Sequence, residues 1–301
     1  MKRFLRNTGL LLLPIIFVAI GLEIVAEAIP NSYTYKREYM EQSGAKIQTL
    51  ILGSSNAYDG LCPEVLPVAF NLANSSQTLE DDYRLLEQYI DDMDSLQTVM
   101  VGLGYHSLGA ESKDNRRMYY TIYMDLYPRW PISKYSFETF NLELLIKKII
   151  KYIVSRDVTR CDSLGQRVGH TVAAVREKRE FWNKDAAALA ANDAFGIPLS
   201  SLEPPLLTNI GYLRAITELC ETHQVQLAVV TMPVRSEYKE ALSPTQVALH
   251  DSVMHSIPPS GIYIDASDWS IPADGWYNAT HLTREASADF TKRLADLFLV
   301  R

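Results

Sequence analysis

The sequence predicts a three-layer α/β/α sandwich with a parallel sheet, and two observations support this prediction. Short apolar runs without polar alternation recur along the chain and stop at glycine or polar residues, which is typical of buried parallel strands. Amphipathic segments of helical length separate these runs, and this βαβ pattern gives right-handed crossovers. The chain also opens with an apolar segment of the length that a membrane-spanning helix needs.

Composition and charge exclude some classes of function. The 301 residues suffice for one large domain or two small ones. The formal charge of −7 leaves no basic surplus for neutralising phosphates, so we expect no nucleic-acid partner. Three widely spaced cysteines without a C-x-x-C pair predict neither a disulfide framework nor a zinc site, although one bridge stays open. No histidines show metal-ligand spacing, and we expect no cofactor.

Residues 1–30 are predicted to form an N-terminal membrane anchor. Lys2, Arg3 and Arg6 precede the uncharged apolar run Gly9–Leu22, and acidic residues follow it. This charge order predicts a single-pass protein with a cytoplasmic N-terminus and its main domain on the outer, periplasmic or extracellular, face. A cleaved signal peptide is an alternative, because Ala26–Ala28 has the A-x-A form of a cleavage site, and a buried helix is another. The apolar run is longer than a usual signal-peptide core, which favours the anchor.

The α/β domain is predicted over residues 47–301, after a linker with a short helix at 31–46. A helix start is expected after Gly60, where Pro63 stands near the first turn. The predicted strands are 50–53, 68–73, 98–104, 225–232 and 261–265, and the main predicted helices are 79–93, 206–223, 243–257 and 283–300.

Residues 108–200 interrupt this pattern and predict a mainly helical insertion. It contains a Tyr- and Met-rich stretch at 116–129, a predicted long apolar helix at 141–154, and a stretch at 176–192 that is charged and then Ala-rich. The aromatic residues in the first part favour a buried core, since aromatic side chains dominate burial. A wall for stacking sugars is the alternative. These residues are Tyr119, Tyr120, Tyr123, Tyr127 and Trp130.

Polar residues follow several predicted strands and carry the candidate chemistry. In a parallel sheet, the carboxyl ends of the strands meet at one edge, where functional groups gather. Acyl transfer by a nucleophile needs a hydroxyl group, an imidazole, a group that orients the imidazole, and N–H donors for the oxyanion. Ser55 and His281 are the candidates for the first two, although serines at such a turn also serve as helix caps. The polar groups at the strand ends are Ser54–Ser55, Asn74–Thr78, Tyr105–Ser107 and Asn278–His281.

Two of these blocks resemble the SGNH/GDSL hydrolase superfamily, especially its membrane-anchored bacterial branch. The resemblance covers residues 47–107 and 225–299. Gly53–Asn56 is similar to the family's opening G-D-S-x, with Ser54 in place of Asp, and the resemblance makes Ser55 the nucleophile. Asn71–Thr78 is similar to N-x-x-x-x-G-x-T, with Ser76 in place of Gly. The resemblance implies that the N–H groups of Ser55 and Ser76 hold the oxyanion.

The two remaining blocks depart from the family pattern. Gly102–Tyr105 lacks the Asn of G-x-N-D, and a shift of two places would put His106 there. Asn278–His281 is similar to D-x-x-H, so His281 corresponds to the base and Asn278 stands in place of the orienting acid. An Asn can orient an imidazole but does not offset the charge of the imidazolium. A carboxylate from the preceding loop is therefore the alternative partner, from Asp265, Asp268 or Asp274.

The resemblance implies a flavodoxin-like fold and an exported serine esterase or O-acyltransferase. Its expected substrate is an acylated carbohydrate or another ester, with cell-surface polysaccharide favoured by the compartment. The two departures suggest a rival from another class of function, a catalytically weakened SGNH-fold component that binds or assembles material in the cell envelope. The sequence leaves the oligomeric state open.

Overall fold

The structure is a computed structural model that describes residues 1–156, 158–178, 199–257 and 261–298. The chain forms two compact units. The first comprises Met1–Glu38 and Lys113–Thr159, and the second comprises Tyr39–Ser112 and Arg160–Arg301. The last part of the predicted insertion, residues 179–198, lies outside the described residues, and so does the end of the predicted C-terminal helix.

The second unit is built on a parallel five-stranded sheet with helices on both sides, which confirms the predicted α/β class. The strands are β1 Thr49–Gly53, β2 Ala69–Asn71, β3 Thr98–Leu103, β4 Gln226–Thr231 and β5 Gly261–Asp265. Their order in the sheet is β2-β1-β3-β4-β5. Strands β1 and β3 are buried along their whole length, as their uninterrupted apolar runs predict.

The helices of the second unit form the two outer layers. In the described part of the chain, the helices of both units are, in chain order, α1 Lys2–Glu27, α2 Ser32–Ser43, α3 Ser55–Gly60, α4 Leu79–Tyr89, α5 Asp114–Tyr123, α6 Leu142–Ser155, α7 Val172–Lys178, α8 Leu199–Thr222, α9 Ser236–Glu240, α10 Pro244–His255 and α11 Arg284–Phe298. Helix α3 packs against α11, and α4 packs against α8. A capping box between Thr78 and Asp81 fixes the start of α4.

Two helix positions differ from the sequence expectation. The helix expected after Gly60 lies before it, as α3, and Pro63 begins only a short 3-10 turn. Helix α8 begins at Leu199, inside the predicted insertion. Residues 160–170 of that insertion are not helical, and their backbone runs beside β2, where Asn71 N donates to Leu164 O at 2.9 Å.

The strand order reverses between β1 and β3, and this point positions the candidate site. From β1 the chain goes to β2 on one side, and then crosses to β3 on the other. Crevices outside the carboxyl ends of strands form at such a point. Gly53 ends β1 at a φ of 124°, and a Cβ there would lie 2.3 Å from Gly102 O. Only glycine fits, so the two strand ends approach closely.

The first unit contains α1, α5 and α6. Helix α1 is long and apolar enough to cross a membrane and is mostly exposed along that length. Its last turn is buried at Ala26 and is tied to the rest of the unit. Glu23 accepts hydrogen bonds from the backbone of Glu138 and Thr139, at 2.8 and 2.9 Å. Lys148 donates to Ala26 O at 2.7 Å and pairs with the buried Glu138.

Candidate active site

Ser55 is the first residue of α3 and lies two residues after Gly53, the end of β1. Ser54 has the extended backbone of a helix N-cap, and its carbonyl accepts from Tyr58 N at 3.0 Å. The Ser54 hydroxyl is buried and donates to Asn56 Oδ1 at 3.2 Å. The partly exposed Ser55 Oγ instead lies 2.8 Å from His281 Nε2. The structure thus brings together the two residues that the sequence analysis paired across 226 positions.

The Asn278 side chain sets both the orientation and the tautomer of His281. Asn278 Oδ1 accepts the backbone N–H groups of Thr280 and His281, each at 2.9 Å. Those donors fix it as the amide oxygen, an acceptor. His281 Nδ1, at 2.8 Å from the same oxygen, must therefore carry a proton. Nε2 is left as the acceptor for the Ser55 hydroxyl, which is the arrangement that general-base catalysis requires.

The loop aspartates proposed as alternative partners do not contact this imidazole. Asp265 Oδ1 accepts from Ser267 N at 2.9 Å, and Asp268 pairs with Lys239. Among the described residues, Asn278 is the side chain that meets Nδ1 along with the Thr280 hydroxyl.

A different carboxylate, that of Asp59, lies beside the pair. Asp59 is four residues after Ser55, so both face the same side of α3. Its Oδ2 is 3.8 Å from His281 Nε2, and its side chain is 1% exposed. Its Oδ1 lies 3.2 Å from Arg167 Nε and 3.2 Å from His170 Nδ1.

Residues 166–170 hold this carboxylate in place. Gln166 Nε2 donates to Asp59 O at 3.2 Å. Arg167 lies over the Tyr58 ring, with Cζ 4.7 Å from the ring centroid, and donates to Ser75 Oγ. His170 stacks on Tyr277 at 3.5 Å between ring centroids. The segment therefore joins α3 to the loops after β2 and before α11.

The electrostatics of the site keep the imidazole neutral. Burial lowers the pKa of His281 to about 4. Asp59 opposes this by raising the pKa, whereas Arg167, His170 and His106 lower it further. At neutral pH, His281 is consequently in the form that accepts a proton.

The backbone at Ser76 has the conformation that the resemblance assigns to a glycine. Its φ is 56°, in the left-handed region. Asn74 N donates to Gly53 O at 3.2 Å, and Gln77 N donates to Asn74 O at 3.2 Å. These bonds tie the loop of Ser76 to the end of β1, next to Ser55.

The Asp82 side chain accepts hydrogen bonds at the same end of β1. Its Oδ1 accepts from Gly53 N at 2.8 Å and from Gln77 Nε2 at 2.6 Å. Burial raises the pKa of Asp82 to about 7, against the lowering effect of the two hydrogen bonds.

The resemblance places Gly104 where the SGNH pattern has an Asn. A Cβ on Gly104 would lie 2.7 Å from His106 Cε1 and 3.3 Å from Asn56 Oδ1, so both side chains are near this place. The Asn56 amide is already engaged, because Nδ2 donates to Thr280 O at 2.6 Å. In the described part of the chain, no group of three or more His, Cys, Asp or Glu side chains is arranged to hold a metal ion.

Asp59, Arg167 and His170 are site residues that the sequence did not predict. For Asp59 a signal existed, its spacing of four residues from Ser55. This spacing places Asp59 beside Ser55 only if residues 55–60 form a helix, and the sequence predicted the helix after Gly60. For Arg167 and His170 no local pattern exists, since their segment is irregular.

Comparisons with known proteins identify no family for this chain. No family model matches the chain, and no curated protein matches it. One similar solved structure is a protein from Streptococcus pneumonia, provisionally described as a platelet activating factor. The match has 11% identity and a TM-score of 0.37, and covers 96% of this chain and 98% of that one. At these values the likeness does not extend to family or activity.

Proposed function

We propose that the protein is a membrane-anchored serine esterase or O-acyltransferase of the SGNH type. The observation that supports this most directly is the chain of contacts from Ser55 Oγ through His281 to Asn278 Oδ1, with 2.8 Å at each step. A hydroxyl group, an imidazole in the accepting tautomer and an orienting oxygen are the components of nucleophilic acyl transfer.

In the proposed reaction, Ser55 Oγ attacks the acyl carbon of an ester while His281 Nε2 takes its proton. The N–H groups of Ser55 and Ser76 stabilise the oxyanion. His281 then returns the proton to the leaving alcohol, which gives an acyl-serine. Water or a second hydroxyl group attacks this intermediate, again with His281 as the base, and frees Ser55. Asp59 stabilises the imidazolium that forms in both the acylation and the deacylation step. The neutral Asn278 cannot offset that positive charge.

The proposed setting is the outer face of a membrane, with an acylated carbohydrate or a related ester as the substrate. Helix α1 supplies a segment of sufficient length and apolarity. The hydrogen bonds of Glu23 and Ala26 favour an uncleaved anchor over a signal peptide, because cleavage near Ala28 would remove residues that pack within the first unit. Protease protection in right-side-out membranes tests this topology, and digestion of the main domain from the cytoplasmic side would contradict it.

The activity can be tested by labelling the full chain with a fluorophosphonate, which reacts with activated serines. We expect a covalent adduct in the wild type and in the Ser54→Ala variant, and none in Ser55→Ala. Ser54→Ala is the matched control because its hydroxyl is buried one residue away and does not contact His281. Hydrolysis of short acyl esters should follow the same order. An adduct that persists in Ser55→Ala would contradict the assignment of the nucleophile.

No carboxylate of the described residues meets His281 Nδ1, which favours one second candidate, a binding or assembly component with a weakened site. This candidate predicts no Ser55-dependent adduct and no ester hydrolysis in a protein that is folded by circular dichroism. It also predicts that acylated carbohydrate still binds, with equal affinity for wild type and Ser55→Ala.

A further inference from the structure

Helix α6 in the first unit carries an apolar stripe that no described residue covers. Ile146, Ile150 and Ile153 are 54%, 55% and 61% exposed. With Leu142, which is 56% exposed, they recur at the three- and four-residue spacing that places side chains on one face of a helix. Soluble surfaces rarely carry a contiguous patch of this kind without a partner.

The three sides of α6 differ in chemistry. The buried side holds Leu145 and Lys148, and Lys148 is bonded to Glu138. The polar side carries Glu143 and Lys147, an exposed pair joined at 2.5 Å. The apolar stripe lies between the polar and buried sides, and no described residue packs against it.

The contacts of Lys148 place α6 next to the end of the candidate membrane span. Lys148 Nζ donates to Ala26 O in the last turn of α1, at 2.7 Å. If α1 crosses a bilayer, its last turn marks the boundary between acyl chains and headgroups. Three further exposed apolar side chains belong to the same unit. They are Trp130, Ile132 and Phe140.

We propose that α6 lies on the outer face of the membrane that α1 crosses, with its apolar stripe in the boundary between headgroups and acyl chains. This inference depends on the proposed anchoring by α1. A lipid surface fits better than a protein groove because α6 is hydrogen-bonded to the last turn of α1, whose apolar length would place that turn at the membrane surface. The second contact would restrict the motion of the first unit relative to the bilayer.

The proposal can be tested with an environment-sensitive NBD fluorophore on single introduced cysteines in the full chain. The chain is reconstituted in phosphatidylcholine–phosphatidylglycerol vesicles that contain a lipid with a nitroxide quencher near its headgroup. The native cysteines are free and buried, and labelling of the wild type measures their background. The variant Ile150→Cys reports on the stripe and Leu12→Cys reports on the anchor. Leu297→Cys, half-exposed on α11 in the other unit, is the matched control.

We expect several-fold stronger lipid quenching at position 150 than at 297. Quenching at position 12 but not at 150 would overturn the surface contact and leave the anchor intact. Absence of quenching at both positions would overturn both proposals. A label at 150 that is shielded from aqueous iodide but not quenched by lipid would indicate a protein partner on the stripe, and would also overturn the proposal.

Discussion

Asp59 Oδ2 lies 3.8 Å from His281 Nε2, the ring nitrogen that also faces Ser55. In the usual triad, the carboxylate is at the opposite nitrogen, where this chain has Asn278. The site therefore contains a carboxylate near the imidazole, but this carboxylate belongs to α3, the helix that also carries Ser55. Arg167 and His170 contact the same carboxylate and oppose its effect on the imidazolium, because both lower the pKa of His281.

Substitution of Asp59 by Asn should lower kcat/KM by about tenfold to a hundredfold, since a nearby buried charge is worth a few kcal/mol. It should also lower the pKa of His281 below its value of about 4, because Asp59 is the group that raises that pKa. The acid limb of the pH dependence of kcat/KM, which reports the base in the free enzyme, should then move to lower pH.

The matched control is Glu64→Gln, which removes an exposed carboxylate shortly after α3. This variant should keep both the rate and the position of the acid limb. A rate loss in Asp59→Asn without any movement of the limb would mean that Asp59 acts only on the fold. Thermal unfolding of both variants separates this outcome from simple instability.

Substitution of Asn278 by Asp should increase kcat by about tenfold or more, because it restores a charged partner to the imidazole. The backbone and ring donors that meet Asn278 Oδ1 can all donate to a carboxylate, so the loop should tolerate the change. The pKa of His281 should rise, and the acid limb should move to higher pH. The gain should be larger in the Asp59→Asn background, since the two carboxylates act on one ring. Equal gains in both backgrounds would contradict this coupling.

The parallel sheet and the pairing of Ser55 with His281 could be predicted because both leave local signals. Buried strands appear as apolar runs, and the polar residues after them define the edge where the site forms. The turn after β1 was harder to predict. Residues 55–60 have the sequence of a loop, because they end in Gly60 and Pro63 follows closely, yet they form α3. Asp59 was missed for this reason, since only a helix brings it beside Ser55.

The contribution of residues 160–170 could not be predicted from sequence. The segment has no helical or strand periodicity, and its place beside β2 depends on a tertiary contact. Gly165 has a φ of 83°, and a Cβ there would lie 2.2 Å from Asn71 O. A single glycine thus lets the segment approach β2 closely, and Arg167 and His170 reach Asp59 as a consequence. Such contacts depend on the assembled fold rather than on local pattern.

Substitution of Ser76 by Gly should stabilise the protein by about 0.5 kcal/mol. The left-handed backbone at Ser76 costs a residue with a Cβ about 1–2 kcal/mol, and a Gly there would avoid this cost. The greater freedom of Gly in the unfolded chain offsets part of that gain. Urea unfolding measures the difference. The variant Ser76→Ala is the control, because it removes the hydroxyl group but keeps the Cβ. Equal stabilisation by both variants would attribute the effect to the hydroxyl group rather than to the backbone.

Substitution of Asp82 by Asn should remove a pH dependence of stability between about pH 4 and pH 7. The pKa of Asp82 is raised from 3.8 to about 7 in the folded protein, so in this window the folded chain binds a proton that the unfolded chain has lost. Stability from this group therefore falls as pH rises, by about 4 kcal/mol over the whole window. Asn keeps an oxygen that can accept from Gly53 N but carries no charge. The free energy of unfolding of Asp82→Asn should exceed that of the wild type at pH 8 and approach it near pH 4. A difference that does not change with pH would mean that Asp82 does not titrate in this window.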